Sequence, residues 1–356
     1  MNQKTKYWHV DNTVDDWLAY PQAQQAVKEA AELLQRNELV AFPTETVYGL
    51  GGNGLVDKTV EKIYIAKGRP SDNPLILHIA EEEQLEQLAE EVPPLARALM
   101  EAFWPGPLTL VLPKKAGVAQ RASAGLDTIA VRMPDHPLAL ALIRAAGLPI
   151  AAPSANLSGR PSPTTGRHVQ EDLEGRIAGI LDGGPTGIGV ESTVVDVTGE
   201  VPLILRPGGI TAEQIADITG EVAVDPGLTV EGAAPRSPGM KYRHYAPEGE
   251  MWLVTGANVE AMAEMIRRHA DEARREGKKV GILATRESAS FYNKNDIVLA
   301  CGERASLISV AQHLYDVLRR FDEEKVDLIF AETFLENGVG AAVMNRLNKA
   351  AGGKRL

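Results

Sequence analysis

The stretch from Leu39 to His78, LVAFPTETVYGLGGNGLVDKTVEKIYIAKGRPSDNPLILH, constrains this chain more than any other. Four apolar residues, Leu39 to Phe42, predict a short buried strand, and Pro43 ends it because proline has no N–H to give a ladder. A hydroxyl- and glycine-rich loop follows, and Asp57 then stands where a helix N-cap belongs. Val60, Ile63 and Tyr64 fall at helical spacing, and Gly68 with Pro70 supplies the stop. Lys67 and Arg69 therefore leave the helix end together, into a loop able to follow a polyanion. A second strand, Leu75 to Ala80, sets Leu75, Leu77 and Ile79 on one face and Ile76, His78 and Ala80 on the other. Thr44 and His78 thus reach one neighbourhood beside a two-cation loop. That is the pattern of a site.

At 356 residues the chain is long enough for two ordinary domains. Its single cysteine, Cys301, excludes an internal disulfide framework and a cysteine-based zinc site, and fits a reducing cytoplasm. No apolar run approaches the ~20 residues of a membrane span, and the N-terminus lacks the apolar core of a signal peptide. The expectation is a cytoplasmic protein with no membrane association. Residues 1–235 carry 18 Lys and Arg against 31 Asp and Glu, whereas 236–356 carry 19 against 17. A domain that worked on nucleic-acid backbones would usually show a basic face. Here the motif-rich part is the acidic one, so its cations matter individually and the expected anion is small.

Residues 1–20 predict an edge strand or arm, and Gln22 to Arg36 a helix with Ala26, Ala30, Leu33 and Leu34 as its apolar stripe. Glu81 to Glu91 reads as a solvated amphipathic helix, and Pro93–Pro94 opens another to about Phe103. WPGP then turns the chain into the strand LTLVLP. Thr128 to Met133 alternates, with Ile129, Val131 and Met133 on one side and Thr128, Ala130 and Arg132 on the other. A helix from His136 to Ala146 ends at Gly147. The strand LPIAA runs into APSANLSGRPSPTT, a loop dense in hydroxyls directly after a buried strand, where binding loops tend to sit. Three β-rich runs follow (IAGILDGG, ESTVVDVT and VPLILRPGG), with Arg206 at the last step of its strand. Thr211 and Gln214 form a capping box. Without a repeated βαβ rhythm, this part predicts a mixed-sheet α+β domain over 1–224.

Residues 225–250 are rich in Pro and Gly and predict a linker. Within it SPGMKYRHYAP gathers Lys241, Tyr242, Arg243, His244 and Tyr245, more than a spacer needs, which suggests a lid over the site. Residues 251–356 alternate strand and helix, predicting a smaller parallel-sheet, Rossmann-like domain. It lacks a glycine fingerprint, so docking or regulation is the expected role.

The chain has no G-x-x-x-x-G-K-[ST], H-x-x-x-H, G-x-S-x-G or CxxC. What it offers is Lys67, Arg69, Arg132 and Arg206, each at a strand or helix end, among hydroxyls and the amides of Asn73 and Asn156. Such a set suits phosphates and a carboxylate, with catalysis resting on positioning and on neutralising phosphoryl charge. A lone strand arginine is often half of a surface ion pair; the joint placement is what favours a site.

PTETVYGLG (43–51), KGRPSDNPLILH (67–78), WPGPLTLVL (104–112), TIAVRMP (128–134), APSANLSG (152–159), ESTVVD (191–196) and RPG (206–208) resemble the YrdC family, the threonylcarbamoyl-AMP synthases, in the family's order. The tail resembles the family's long, two-domain branch. The resemblance implies condensation of L-threonine, bicarbonate and ATP to L-threonylcarbamoyl-AMP and pyrophosphate. This nucleotidyl transfer makes the donor for N6-threonylcarbamoyladenosine at position 37 of tRNAs reading A-starting codons. It implies Mg²⁺ carried with ATP, and tRNA-modification proteins as partners that use the adenylate, with at most transient tRNA contact. By matching position, Thr44, His78, Arg132, Ala152 and Ser192 would surround threonine. Lys67, Arg69, Asn73, Thr128, Ser154, Asn156, Ser162 and Arg206 would hold the nucleotide, with Lys67, Arg69 and Arg206 acting in catalysis and His244 closing over ATP. The alternative is a double-stranded RNA or tRNA-binding module without adenylate synthesis, against which the acidic balance counts.

Overall fold

The computed structural model describes residues 4–11, 16–228 and 244–356. It divides into two compact units: Met1–Ser158, Ser162–Gly187 and Glu191–Lys241 in the first, and Gly159–Pro161, Ile188–Val190 and Tyr242–Leu356 in the second.

The first unit is built on a mixed sheet. Its strands are β1 (Lys6–His9), β2 (Val40–Phe42), β3 (Gly49–Asn53), β4 (Ile76–His78), β5 (Leu108–Pro113), β6 (Thr128–Arg132), β7 (Ile150–Ala151), β8 (Gly179–Asp182), β9 (Thr193–Asp196), β10 (Leu203–Arg206) and β11 (Ala223–Val224). Their spatial order is β1-β8-β2-β3-β7-β4-β6-β5-β9-β10-β11, with parallel and antiparallel neighbours mixed. The helices are α1 (Pro21–Gln35), α2 (Asp57–Lys67), α3 (Pro94–Phe103), α4 (Pro137–Ala146), α5 (Gly166–Leu173) and α6 (Ala212–Thr219).

Alternation along the strands decides which layer each helix joins. Leu75, Leu77, Ile79, Ile129 and Val131 share one core with Val60 and Ile63 of α2 and Leu99 of α3. Val40, Phe42 and Ile150 share another with Ala26, Ala30 and Leu34 of α1 and Leu138 and Leu142 of α4. His78, on the opposite face from Leu77, is thereby turned away from the first of these cores. α1 starts on Pro21, and α2 ends on Gly68 at φ 61°, the left-handed stop that a glycine supplies.

Two local expectations are corrected. Asp57 does not cap α2: it is the helix's first residue, Val56 holds the cap position, and Asp57 Oδ1 accepts the Arg121 N–H at 2.9 Å. Its carboxylate has a tertiary partner in place of a local one. Within residues 81–91 the helix is a short 3₁₀ segment, Glu82–Gln87, opened by a reciprocal box between Glu81 and Gln84. The box at Thr211 and Gln214 is present as expected.

One glycine clamps strands together at the RPG turn. A Cβ on Gly208 would lie 2.3 Å from backbone atoms of Glu191, Ser192 and Thr193. Backbone cannot move aside as a flexible side chain can, so Gly208→Ala is expected to lower unfolding stability by about 1–3 kcal/mol. Urea unfolding checks this; an unchanged midpoint would show that the turn has room.

The second unit carries β12 (Glu250–Val254), α7 (Val259–Arg275), β13 (Val280–Ala284), β14 (Ile297–Ala300), α8 (Leu307–Glu323), β15 (Leu328–Glu332) and α9 (Val339–Ala351). Its four strands are all parallel in the order β12-β15-β13-β14. α7 buries Met262, Ile266 and Ala270 against Val280, Ile282 and Phe330. Among the described residues no helix is long and apolar enough to cross a membrane.

Candidate active site

Pro43 ends β2, and the hydroxyl after it folds the next turn. Thr44 Oγ1 accepts the backbone N–H groups of Thr46 (3.2 Å) and Val47 (3.3 Å), lies 2.8 Å from Thr46 Oγ1 and donates to the Val47 carbonyl at 2.7 Å. This turn presents Thr46 and Glu45 to Arg132. Nε of Arg132 donates to the Gly106 carbonyl (3.2 Å), Nη1 to Thr46 Oγ1 (3.0 Å), and Nη2 lies 2.6 Å from Glu45 Oε1. Both side chains are nearly inaccessible, at 4% and 12% exposure. The contact is ionic and not a directed hydrogen bond: Nη2 and both Glu45 oxygens are buried without a hydrogen-bond partner.

β4 and β6 run parallel with His78 opposite Arg132. The His78 ring is buried, meets Phe42 edge-on at 6.1 Å, and leaves Nδ1 without a hydrogen-bond partner. Burial, reinforced by the Arg132 charge, lowers its pKa to about 3, so the ring is neutral at physiological pH. Burial also lowers the neighbouring His136 to about 4 against the pull of Glu45. Asp135 is shifted upward by burial and by Glu45. For the two histidines the native state binds fewer protons than the unfolded chain between these values and about 6.5. Stability is therefore present above pH 6.5 and lost as pH falls toward 4. Lowering the pH from 7.5 to 5 is expected to cost about 1–2 kcal/mol per histidine, and His78→Gln is expected to flatten that slope in urea unfolding. An identical slope in the variant would show that His78 titrates alike in the native and unfolded chains.

Ser192 Oγ lies 2.8 Å from Thr109 Oγ1 and accepts from Arg206 Nη2 at 3.1 Å, while Arg206 Nε and Nη2 also donate to the Ser192 carbonyl. Ser162 Oγ donates to Glu191 Oε1 at 2.6 Å. Ala152 sits one residue beyond β7, its N–H on the Ile76 carbonyl at 2.9 Å.

Lys67 is buried at the end of α2. Its ammonium donates to the Ser154 carbonyl and to the Asn156 carbonyl at 2.7 Å, with Asn156 Oδ1 at 3.4 Å. Ser154 Oγ donates to the same Oδ1 at 2.6 Å. Lysine, serine and asparagine thus form one knot that shapes the APSAN loop. Arg69 Nη2 reaches the Pro74 carbonyl at 3.4 Å. The Asn73 side-chain amide is fully buried, and neither its nitrogen nor its oxygen has a hydrogen-bond partner. Unmet polar groups at such depth are rare and mark a place where a ligand or water completes the bonding.

Thirteen of the fourteen residues singled out from the sequence lie in the first unit; His244 lies in the second. The thirteen are not gathered at a point. Thr128 and Arg132 occupy opposite ends of β6, about 13 Å apart at the rise of an extended strand. Arg69, Asn73 and Thr128 belong to the start of β4 and β6; His78, Arg132, Glu45 and Thr46 to the far end. Ser192 and Arg206 stay together, beside the end of β5 that pairs toward Met133. In the second unit the His244 ring lies 5.6 Å from Tyr245, which stacks on Tyr315 at 5.3 Å and carries the Arg346 guanidinium 5.6 Å from its ring centre. Lys241, Tyr242 and Arg243 lie outside the described residues. Sequence reasoning missed Glu45, Thr46, Thr109 and Glu191. Each adjoins or pairs with a residue that was singled out, and PTET, WPGPLTLVL and ESTVVD are the available signals.

A mixed sheet with buried arginines at its strand ends and a separate parallel-sheet unit define a two-domain protein of mixed α/β class. A family model named for Sua5, YciO and YrdC, described as telomere recombination, matches residues 32–208, and one described as the threonylcarbamoyl-AMP synthase C-terminal domain matches 210–352. The chain is 57% identical to the threonylcarbamoyl-AMP synthase of Bacillus subtilis over 99% of both chains, and 50% identical to that of Pyrococcus abyssi over 92% of this chain and 94% of the relative. The crystal structure of P. abyssi Sua5 complexed with L-threonine superimposes with a TM-score of 0.91 at 46% identity, covering 99% of each chain. The chain belongs to the threonylcarbamoyl-AMP synthase family, in its two-domain Sua5 form. It is therefore an enzyme, a transferase connected with tRNA modification.

Proposed function

We propose that the protein condenses L-threonine, bicarbonate and ATP into L-threonylcarbamoyl-AMP with release of pyrophosphate, supplying the donor for N6-threonylcarbamoyladenosine at position 37 of tRNAs that read A-starting codons. The observation that carries this reading is the division of the first unit's candidate polar residues into a set at the start of β4 and β6 and a set about 13 Å away at their far end. That separation suits an amino acid at one end and a nucleotide reaching from the other.

At the far end, Arg132 would take the threonine carboxylate, with His78 and the Thr44 turn against the rest of the molecule. Ala152 and Ser192 would complete the pocket. Asn73, Arg69 and Thr128 would meet the nucleotide, with Ser154, Asn156 and Ser162 along its path. The amine attacks the bicarbonate carbon and water leaves; the resulting carbamate oxygen attacks the α-phosphorus, and the bond to pyrophosphate breaks. No enzyme nucleophile is needed. Arg69 and Arg206 would offset charge on phosphoryl oxygens, and Lys67 would do so through the loop it shapes. Mg²⁺ would enter on the triphosphate, held by phosphate and water ligands.

The test is pyrophosphate release with ATP, bicarbonate and a panel of amino acids. Release is expected only when threonine and bicarbonate are both present. Equal release with any amino acid, or with none, would contradict the proposal.

A further inference from the structure

We propose that Glu45 is a specificity-determining residue, the carboxylate that receives the α-ammonium group of the amino-acid substrate while Arg132 receives its carboxylate. This rests on the reading of the Arg132 end as the amino-acid pocket.

Glu45 and Arg132 approach to 2.6 Å in a buried setting, yet neither carboxylate oxygen of Glu45 nor Nη2 of Arg132 makes a hydrogen bond. A buried charge pair built for stability alone would be expected to complete its hydrogen bonds, since desolvating two ions is otherwise poorly compensated. The rest of the guanidinium is held firmly: Nε and Nη1 are on Gly106 and Thr46. Only the arm that faces Glu45 is left over. A zwitterionic α-amino acid carries an anion and a cation on one carbon, and these are the two charges that would satisfy Nη2 and Glu45 together. Entering between them, it would replace one undirected contact with two charge-assisted hydrogen bonds.

Local charge agrees. Asp135 also lies close enough to Glu45 to feel its charge, and His136, which burial keeps neutral, stands beside them. Asp135 is exposed to solvent, which screens its charge, so the local balance rests on Glu45 and Arg132. A zwitterion brings an ammonium and a carboxylate together and leaves that balance unchanged, whereas a simple carboxylic acid adds a negative charge alone.

The experiment compares L-threonine with 2,3-dihydroxybutanoate, in which a hydroxyl replaces the amine, by calorimetry on the full chain carrying Glu45→Gln or Glu45→Asp. Wild-type protein is expected to bind threonine at least tenfold more tightly than the deaminated analogue, Glu45→Gln to bind the two within about threefold, and Glu45→Asp to keep most of the preference. A residue that merely holds Arg132 would weaken both ligands in proportion, and an unchanged ratio in Glu45→Gln overturns the proposal. Affinity for a non-hydrolysable ATP analogue serves as the folding control; its loss in both variants would assign Glu45 a structural role and also overturn it. If wild-type protein does not bind threonine, it is the functional reading that fails.

Discussion

Replacing Arg132 with alanine is expected to reduce threonine-dependent pyrophosphate release by about three orders of magnitude and to lower unfolding stability by about 3–5 kcal/mol. The two effects share a cause. The guanidinium balances Glu45 in a corner sealed from water, and its removal leaves a carboxylate buried with no opposite charge beside it. Breaking one partner of a buried pair costs far more than removing both. The double variant Arg132→Met, Glu45→Leu is therefore expected to regain most of the lost stability while remaining inactive. Chemical unfolding of the single and double variants, read as a cycle, separates the pair from its surroundings. Additive losses would show that the two side chains do not interact.

Lys67→Met is expected to weaken binding of a non-hydrolysable ATP analogue by about a hundredfold and to cost about 2–4 kcal/mol of stability, because the carbonyls of Ser154 and Asn156 would lose a buried charged donor. The ammonium is inside the loop and not on its surface, so the proposed role in nucleotide binding would run through the shape of that loop. Calorimetry and thermal unfolding should fall together. A variant as stable as wild type that has lost only nucleotide affinity would instead place Lys67 directly on phosphate.

The strand, loop, helix and strand from Leu39 to His78 were legible because burial enforces their period: Leu75, Leu77 and Ile79 can only share a face. The same logic placed His78 opposite that core. Tertiary partners were not legible. Asp57 has the right type and position for a cap, yet its carboxylate goes to Arg121, distant in sequence. Lys67 reads as a surface cation leaving a helix end, whereas Ser154 and Asn156 draw it inward. Thr128 and Arg132 share a strand face, and their four-residue spacing sets them about 13 Å apart, but it does not tell which groups meet each of them. Glu45 escaped notice because a carboxylate in a hydroxyl-rich loop looks like solvent-facing polarity until Arg132 is seen against it. Local period carries the fold; the site depends on pairings across it.

The central claim is that one active site joins an amino acid, bicarbonate and the AMP portion of ATP. The most direct measurement is mass spectrometry of the nucleotide product formed with ¹³C-bicarbonate and L-threonine. The expected product is an adenylate heavier than AMP by a threonylcarbamoyl group that carries the label, formed alongside pyrophosphate. ADP and phosphate as the only products, or an adenylate without the labelled carbon, would contradict it.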